Sequence, residues 1–348
     1  MWKQPPGLLL ALDGENRRAI LERKVVKKGA LAMQKRKVVI LGAGHVGSHC
    51  ALSLLFGGLC EEIVLLDILE KKAAGQAMDL SDAAVSMGFA PVIRAGTGDD
   101  MKDASILIMA AGRGRKEGET RLDLFYDSVR MLKNDIIPRI KQSGFSGILI
   151  SISNPADVVG ELLRRGIGFP REKAFSTGTG LDSLRLRRVI AQDGGVSTHS
   201  VSALCMGEHG DSHMVPWSRV CIGGQPFLTL RQQEPERWGK TPLDELTRRG
   251  KDAGMFEVTH KSCTEFGIGT VAARLIAAIF HDEKVVLPVS TALQGEYGEE
   301  NVAAGVPAVI GAGGMEGIVT LSLTPDEKEA FHASCDVLRS YLQKAGEI

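Results

Sequence analysis

Nowhere does the sequence place two cysteines in a Cys-x-x-Cys pair. The six, Cys50, Cys60, Cys205, Cys221, Cys263 and Cys335, are scattered, with no histidine at ligand spacing beside them. That pattern argues against a zinc site and against a disulfide framework, and predicts reduced, mostly buried thiols and no metal. Net charge is absent as well: 42 Lys plus Arg balance 42 Asp plus Glu. The chain therefore has no overall field to hold nucleic acid or an acidic membrane surface, and must capture a charged substrate locally. No apolar run approaches the roughly 20 residues of a membrane span. The longest one near the start, residues 7–12, is followed at once by Asp13, Glu15, Arg17 and Arg18, unlike a signal peptide. These absences point to a soluble, cytoplasmic protein without nucleic-acid or membrane partners. Residues 1–33 carry no strand or motif, and Met33 stands just ahead of Gln34-Lys35-Arg36-Lys37, so 1–33 is expected to be an N-terminal extension.

What is present is the length of a two-domain protein, 348 residues. Apolar runs at 38–41, 63–66, 106–111 and 148–153 alternate with helix-length segments such as 51–58 and 124–141. Continuously apolar strands suit a parallel sheet covered on both faces, so the first half reads as an α/β, doubly wound Rossmann domain. The second half mixes strand-like segments (200–206, 219–222, 306–310, 318–323) with helices near 243–261, 269–279 and 324–343. It reads as an α+β substrate domain, giving expected domains of 34–176 and 177–348 after the extension.

The run Val38-Val39-Ile40-Leu41 leads directly into Gly42-Ala43-Gly44-His45-Val46-Gly47. A G-x-G-x-x-G between a strand and a helix is a dinucleotide signature: Gly42 for the tight turn, Gly44 for approach to the pyrophosphate, and Gly47 for helix-strand packing. The N-H groups at the helix start face the phosphates. Asp67 ends the next strand 20 residues after Gly47, where a carboxylate can accept both ribose hydroxyls and would repel a 2′-phosphate. NAD is expected over NADP. Taken alone, the glycines could merely end a strand or serve another nucleotide-like ligand.

From about residue 36 to 342 the chain resembles the L-lactate/L-malate dehydrogenase family. The resemblance rests on Gly42 to Gly47, Ala110-Ala111-Gly112, residues 117–124, Ser153-Asn154-Pro155, Thr177-Gly178-Thr179-Gly180-Leu181-Asp182-Ser183-Leu184-Arg185, Gly207-Glu208-His209-Gly210-Asp211-Ser212 and Gly305-Val306-Pro307-Ala308. It implies hydride transfer between a nicotinamide and a small 2-oxo or 2-hydroxy acid, in a homodimer or homotetramer. His209 would be the acid/base, as suits a side chain whose pKa lies near neutrality. Asp182 would bond its other ring nitrogen, although by itself it reads equally as a helix cap. Arg185, one turn on, would grip the substrate carboxylate in a bidentate pair. Arg121 would polarise the carbonyl from a polar, glycine-bearing segment, 113–121, of lid-like composition. Ala111, Gly112, His45 and Val46 would line the cofactor. Asn154 would touch cofactor and substrate, though an Asn-Pro turn is as natural a reading.

In this family the residue six before the loop arginine meets the substrate side chain, and here it is Arg115. That resembles malate enzymes, whereas Glu117 to Arg121, Thr264 and Gly-Glu-His-Gly-Asp-Ser resemble lactate enzymes. Because a guanidinium buried against a methyl group is unpaired, malate/oxaloacetate is the first expectation; lactate/pyruvate and a branched 2-hydroxy acid are the alternatives. Allosteric relatives bind fructose 1,6-bisphosphate with an arginine and a histidine; Arg187 matches the first, but Ser202 holds the second position, which argues against activation. A protein that binds NAD without turnover is the alternative from another class.

Overall fold

Six strands form the parallel part of one sheet: β1 (Lys37–Leu41), β2 (Glu62–Leu66), β3 (Val92–Ala95), β4 (Ile106–Met109), β5 (Ile148–Ser151) and β6 (Ala174–Ser176). They lie side by side in the order β6-β5-β4-β1-β2-β3, the doubly wound arrangement expected for a dinucleotide domain. The computed structural model describes residues 35–89, 91–112 and 121–346, with backbone alone for 121–124. The expected extension 1–33, Arg115 and the side chain of Arg121 lie outside the described residues.

Successive side chains of a strand point to opposite faces, and the central strands separate their apolar residues accordingly. Ile40, Leu65, Ile108 and Ile150 pack on one face with residues of α1 (His45–Phe56) and α2 (Glu70–Val85). Val39, Val64, Leu107 and Leu149 pack on the other, against Leu132, Ile140 and Leu163. Each such fully buried side chain contributes about 1.5–3 kcal/mol. The helical segment expected at 124–141 is divided: α3 (Arg121–Met131) runs through a π-turn at Leu132–Ile136 into α4 (Ile137–Ser143). Pro138 has no N-H for the helical ladder, which accounts for the irregular turn before it. Gly144, at φ +71°, ends the helix where the sequence places a stop.

After α5 (Ala156–Ile167) and β6 comes α6 (Gly180–Gly194). A small antiparallel sheet of two-residue strands follows: β7 (Val201–Ser202), β8 (Cys221–Ile222) and β9 (Gln225–Pro226). The helices α7 (Phe227–Gln233), α8 (Pro235–Trp238), α9 (Leu243–Lys261) and α10 (Phe266–Phe280) come next. The chain then returns as β10 (Val285–Gln294), β11 (Glu300–Gly311) and β12 (Gly314–Ile318), antiparallel to one another, and closes with α11 (Pro325–Gly346).

These last strands do not form a sheet of their own. They extend the first one past β6 through the pair Ser290 and Ser176, making nine strands among the described residues. The strand read at 318–323 is not formed: β12 stops at Ile318. Beyond it the Val319 N-H donates to the Pro307 carbonyl at 2.9 Å, and Pro307 has no N-H to return. The Leu321 N-H goes instead to the Tyr297 hydroxyl at 3.0 Å.

Candidate active site

Two of the three glycines of the cofactor turn, Gly42 and Gly47, have no room for a side chain. Gly42 has φ +102°, and a Cβ there would stand 2.7 Å from the Cα of Ala111; on Gly47 it would fall on the carbonyl oxygen of Gly42. At Gly44 a Cβ would meet only Lys72 Nζ, at 3.9 Å, so this side of the turn is open to a phosphate. The first residue of α1, His45, is exposed and Val46 half-buried beside it. Asp67, immediately after β2, accepts the Ala43 N-H on Oδ2 at 2.8 Å and the Leu69 N-H on Oδ1 at 2.9 Å. Each carboxylate oxygen retains a second lone pair for a ribose hydroxyl.

Ser153 fastens the neighbouring strand ends together: its hydroxyl donates to the carbonyls of Ala111, at 2.7 Å, and Met109, at 3.2 Å. Ala111 and Gly112 thus follow the carboxyl end of β4, Ala111 beside Gly42, and Asn154 follows that of β5, at the edge where open α/β sheets bind ligands. Asn154 is exposed there and precedes a cis proline, Pro155.

A second group of side chains converges from four elements. His209 lies in a loop held to β11 by paired hydrogen bonds between Gly207 and Gly305, at 3.0 and 2.7 Å. The loop is braced internally, because Glu208 Oε2 accepts from both the N-H and the hydroxyl of Ser212. The imidazole Nδ1 is 2.6 Å from Asp182 Oδ2, in the first turn of α6. With Nδ1 committed to a carboxylate, Nε2 is the atom free to exchange a proton with a ligand. Asp182 is 8% exposed and the His209 side chain 22%. Burial opposes protonation of His209, but the charges of Asp182 and then Asp157 outweigh it and hold the imidazole's pKa above its ordinary value. Burial likewise works against the Asp182 carboxylate, yet the adjacent His209 keeps its pKa below the usual value.

Arg185 follows one turn after Asp182, with Nη1 3.7 Å from Asp182 Oδ1. Its Nη2 donates to Glu257 Oε2 at 2.7 Å and lies 3.5 Å from Thr264 Oγ1, while the Thr264 hydroxyl donates to the same Glu257 oxygen at 2.9 Å. Gly254 lets α9 approach, since a Cβ there would stand 3.0 Å from Arg185 Nη1. A cleft of about 650 Å³ opens against Arg185, Phe256, Glu257 and Thr264. Arg185 can bind an anionic carboxyl group, and His209, linked to it through Asp182, can supply or remove one proton.

The structure therefore brings Asp182, Arg185, His209 and Thr264 together, and gathers Gly42, Gly44, Gly47, Asp67, Ala111 and Asn154 at the carboxyl edge of the parallel strands. Arg187, which matches the arginine of the anion site in allosteric relatives, has its Nε donating to the Ala203 carbonyl at 2.8 Å. Two residues of the site were not found from sequence. Asp157, in the first turn of α5, accepts the backbone N-H of His209 at 2.7 Å, and burial pushes its carboxyl up to about 6. Its signal was an acid three residues after Asn154, which reads as ordinary helix-end chemistry. Glu257 stands in a polar helix among many charges and gave no signal.

Residues 36–176 match the family described as lactate/malate dehydrogenase, NAD binding domain, and residues 179–348 match lactate/malate dehydrogenase, alpha/beta C-terminal domain. The chain is 40% identical to L-lactate dehydrogenase 3 of Bacillus anthracis over 311 residues, 89% of this chain and 98% of that one. Among solved structures, the ligand-bound minor L-lactate dehydrogenase of Enterococcus mundtii superposes with a TM-score of 0.85 at 36% identity, over 90% of this chain and 99% of that chain. The malate dehydrogenase of Archaeoglobus fulgidus in complex with NADH does so with a TM-score of 0.79 at 32% identity, over 89% and 99%. With these likenesses added to the His209–Asp182 pair and the glycine turn, the chain belongs to the lactate/malate dehydrogenase family and is an NAD-dependent oxidoreductase acting on a 2-hydroxy acid.

Proposed function

We propose that this enzyme interconverts pyruvate and L-lactate. Bound at the glycine turn and Asp67, the nicotinamide cofactor supplies or takes up the hydride. Arg185 binds the carboxylate of the keto acid, and His209 donates a proton through Nε2 to the carbonyl oxygen as it becomes a hydroxyl. Asp182 holds the ring in the tautomer this requires and stabilises its charged form. In the other direction His209 accepts that proton. Arg121 is assigned to polarise the carbonyl, and Asn154 to contact substrate and cofactor. Residues 34–176 are read as the cofactor domain and 177–348 as the substrate domain of a cytoplasmic homodimer or homotetramer.

The observation that carries the choice of a monocarboxylate is Glu257. Its carboxylate already faces the guanidinium that must take the substrate's carboxylate. Pyruvate brings one negative charge into the pocket beside Glu257 and oxaloacetate brings two, so the like-charge cost is larger for the dicarboxylate. The names of the Bacillus and Enterococcus relatives support the same reading. Arg115 favours a second reading, malate, because its guanidinium would pair with the extra carboxylate. Initial rates of NADH oxidation with pyruvate, oxaloacetate and 2-oxoisocaproate test the choice. The expected order in kcat/KM puts pyruvate first; a preference for oxaloacetate would replace this reading with malate.

A further inference from the structure

Cys263 lies in the short connection between α9 and α10, and Glu265 immediately precedes α10. His45 comes from the glycine-rich turn, more than two hundred residues earlier in the chain. One donor atom from each of the three, a ring nitrogen, the thiol sulfur and a carboxylate oxygen, lies within 4.8 Å of the other two. We propose that His45, Cys263 and Glu265 form a binding site for one zinc-class divalent cation, which cross-links the cofactor turn to the loop carrying Thr264.

Donor chemistry selects the ion. Nitrogen, thiolate and carboxylate together suit Zn²⁺ and its neighbours, whereas Mg²⁺ and Ca²⁺ demand oxygen. Three protein ligands leave a fourth tetrahedral position for water. His45 Nδ1 and Glu265 Oε2 already face each other at 3.1 Å, where an ion would replace the proton between them. The other carboxylate oxygen, Oε1, accepts from Lys261 Nζ at 2.7 Å, and that ammonium sits 3.8 Å from the centre of the Phe266 ring. Lys261 thus orients the carboxylate from its far side, as outer partners of metal ligands do. His49 braces the same corner: its Nδ1 lies 2.8 Å from the His45 carbonyl and 3.3 Å from Glu265 Oε2.

The supports are closely packed. Gly269 of α10 meets α1 so closely that a Cβ there would stand 2.9 Å from the His49 carbonyl. Glu265 is 7% exposed, while the His45 side chain is 77% exposed and leaves an entry path for the ion. Because only the folded chain assembles these ligands, an ion bound there stabilises the native state by mass action.

The test is a titration of the metal-free full-length protein with Co²⁺, followed by absorption spectroscopy, and with Zn²⁺, followed by thermal unfolding. One equivalent of Co²⁺ should give the thiolate-to-cobalt charge-transfer band, which Zn²⁺ abolishes. The Cys263→Ser variant should lack the band while keeping wild-type NADH affinity, which shows it is folded. His45→Ala and Glu265→Gln should each weaken Co²⁺ binding by more than the about 10- to 100-fold that loss of an outer partner costs. Zn²⁺ should raise Tm by about 2–4 °C for each tenfold excess over its Kd in the wild type, and leave Cys263→Ser unmoved. No band, a band that survives Cys263→Ser, or an equal rise of Tm in that variant would overturn the proposal.

Discussion

Replacing Asp182 by Asn removes the charge opposite His209 while keeping the shape of the side chain. The carboxylate oxygen lies 2.6 Å from Nδ1, with Asp182 8% and His209 22% exposed, so solvent screens the pair only partly. Two unit charges about 4 Å apart attract by about 4 kcal/mol at an effective dielectric of 20. The net worth of a charge-assisted hydrogen bond is smaller, about 1.5–3 kcal/mol, and sets the scale because an amide oxygen can still accept from Nδ1. At about 1.4 kcal/mol per tenfold, kcat for keto-acid reduction should fall about 10- to 150-fold. If the amide instead turned its NH₂ towards Nδ1, the tautomer would invert and the loss would approach about 10⁴-fold.

The pH dependence has a definite sign. Asp182 raises the His209 pKa, and keto-acid reduction uses the protonated ring. In the variant the imidazole loses its proton at lower pH, so the upper limb of the reduction profile should move down. Stopped-flow traces of NADH consumption across a pH series, with NADH affinity measured separately by fluorescence, would read both effects. A variant with the wild-type pH midpoint and less than about threefold loss of kcat would refute the assignment of His209 as the acid oriented by Asp182.

Asp67→Ser removes the carboxylate expected to repel a 2′-phosphate, and should narrow the NADH to NADPH preference in kcat/KM by about tenfold or more; an unchanged ratio would place cofactor selection elsewhere. Arg115→Gln should lower the oxaloacetate to pyruvate ratio by about tenfold or more, within the about 3–5 kcal/mol that an unpaired buried charge costs. An unaltered ratio in side-by-side rates would show that Arg115 is not the selector. Asp157, raised to about 6 in the fold, retains a proton that the unfolded chain releases near pH 4. Its contribution to stability is present below that pH and lost as pH climbs through 6. Asp157→Asn stays neutral, so its Tm should fall less than the wild type's between pH 4 and pH 7; parallel curves in calorimetry would contradict the buried, proton-holding carboxyl.

The parallel sheet and much of the candidate site were legible in the sequence because their signals are local. A strand followed by Gly42-x-Gly44-x-x-Gly47 carries its own steric logic, and Asp182 and Arg185 sit one turn apart on a single helix. The family motifs added His209 and Thr264, whose neighbours in the chain say little by themselves. The second half was less legible. The short strands Val201–Ser202 and Cys221–Ile222 occupy only part of the apolar runs that suggested them. The strand Val285–Gln294 was not anticipated, since its pairing with Glu300–Gly311 and with Ser176 depends on partners that no local pattern names.

The sequence by itself determined where backbone must turn tightly, which strands are buried on both faces and which residue types can move a proton or hold a carboxylate, for these follow from the steric and chemical properties of adjacent residues. Only the tertiary structure decided that Asp157 would hold the His209 backbone, that Glu257 would share Arg185 with Thr264, and that His45 would meet Cys263 and Glu265. Each of those meetings joins residues far apart in the chain. Their distances are fixed by helices packing on a common sheet, and spacing along the sequence carries no measure of that.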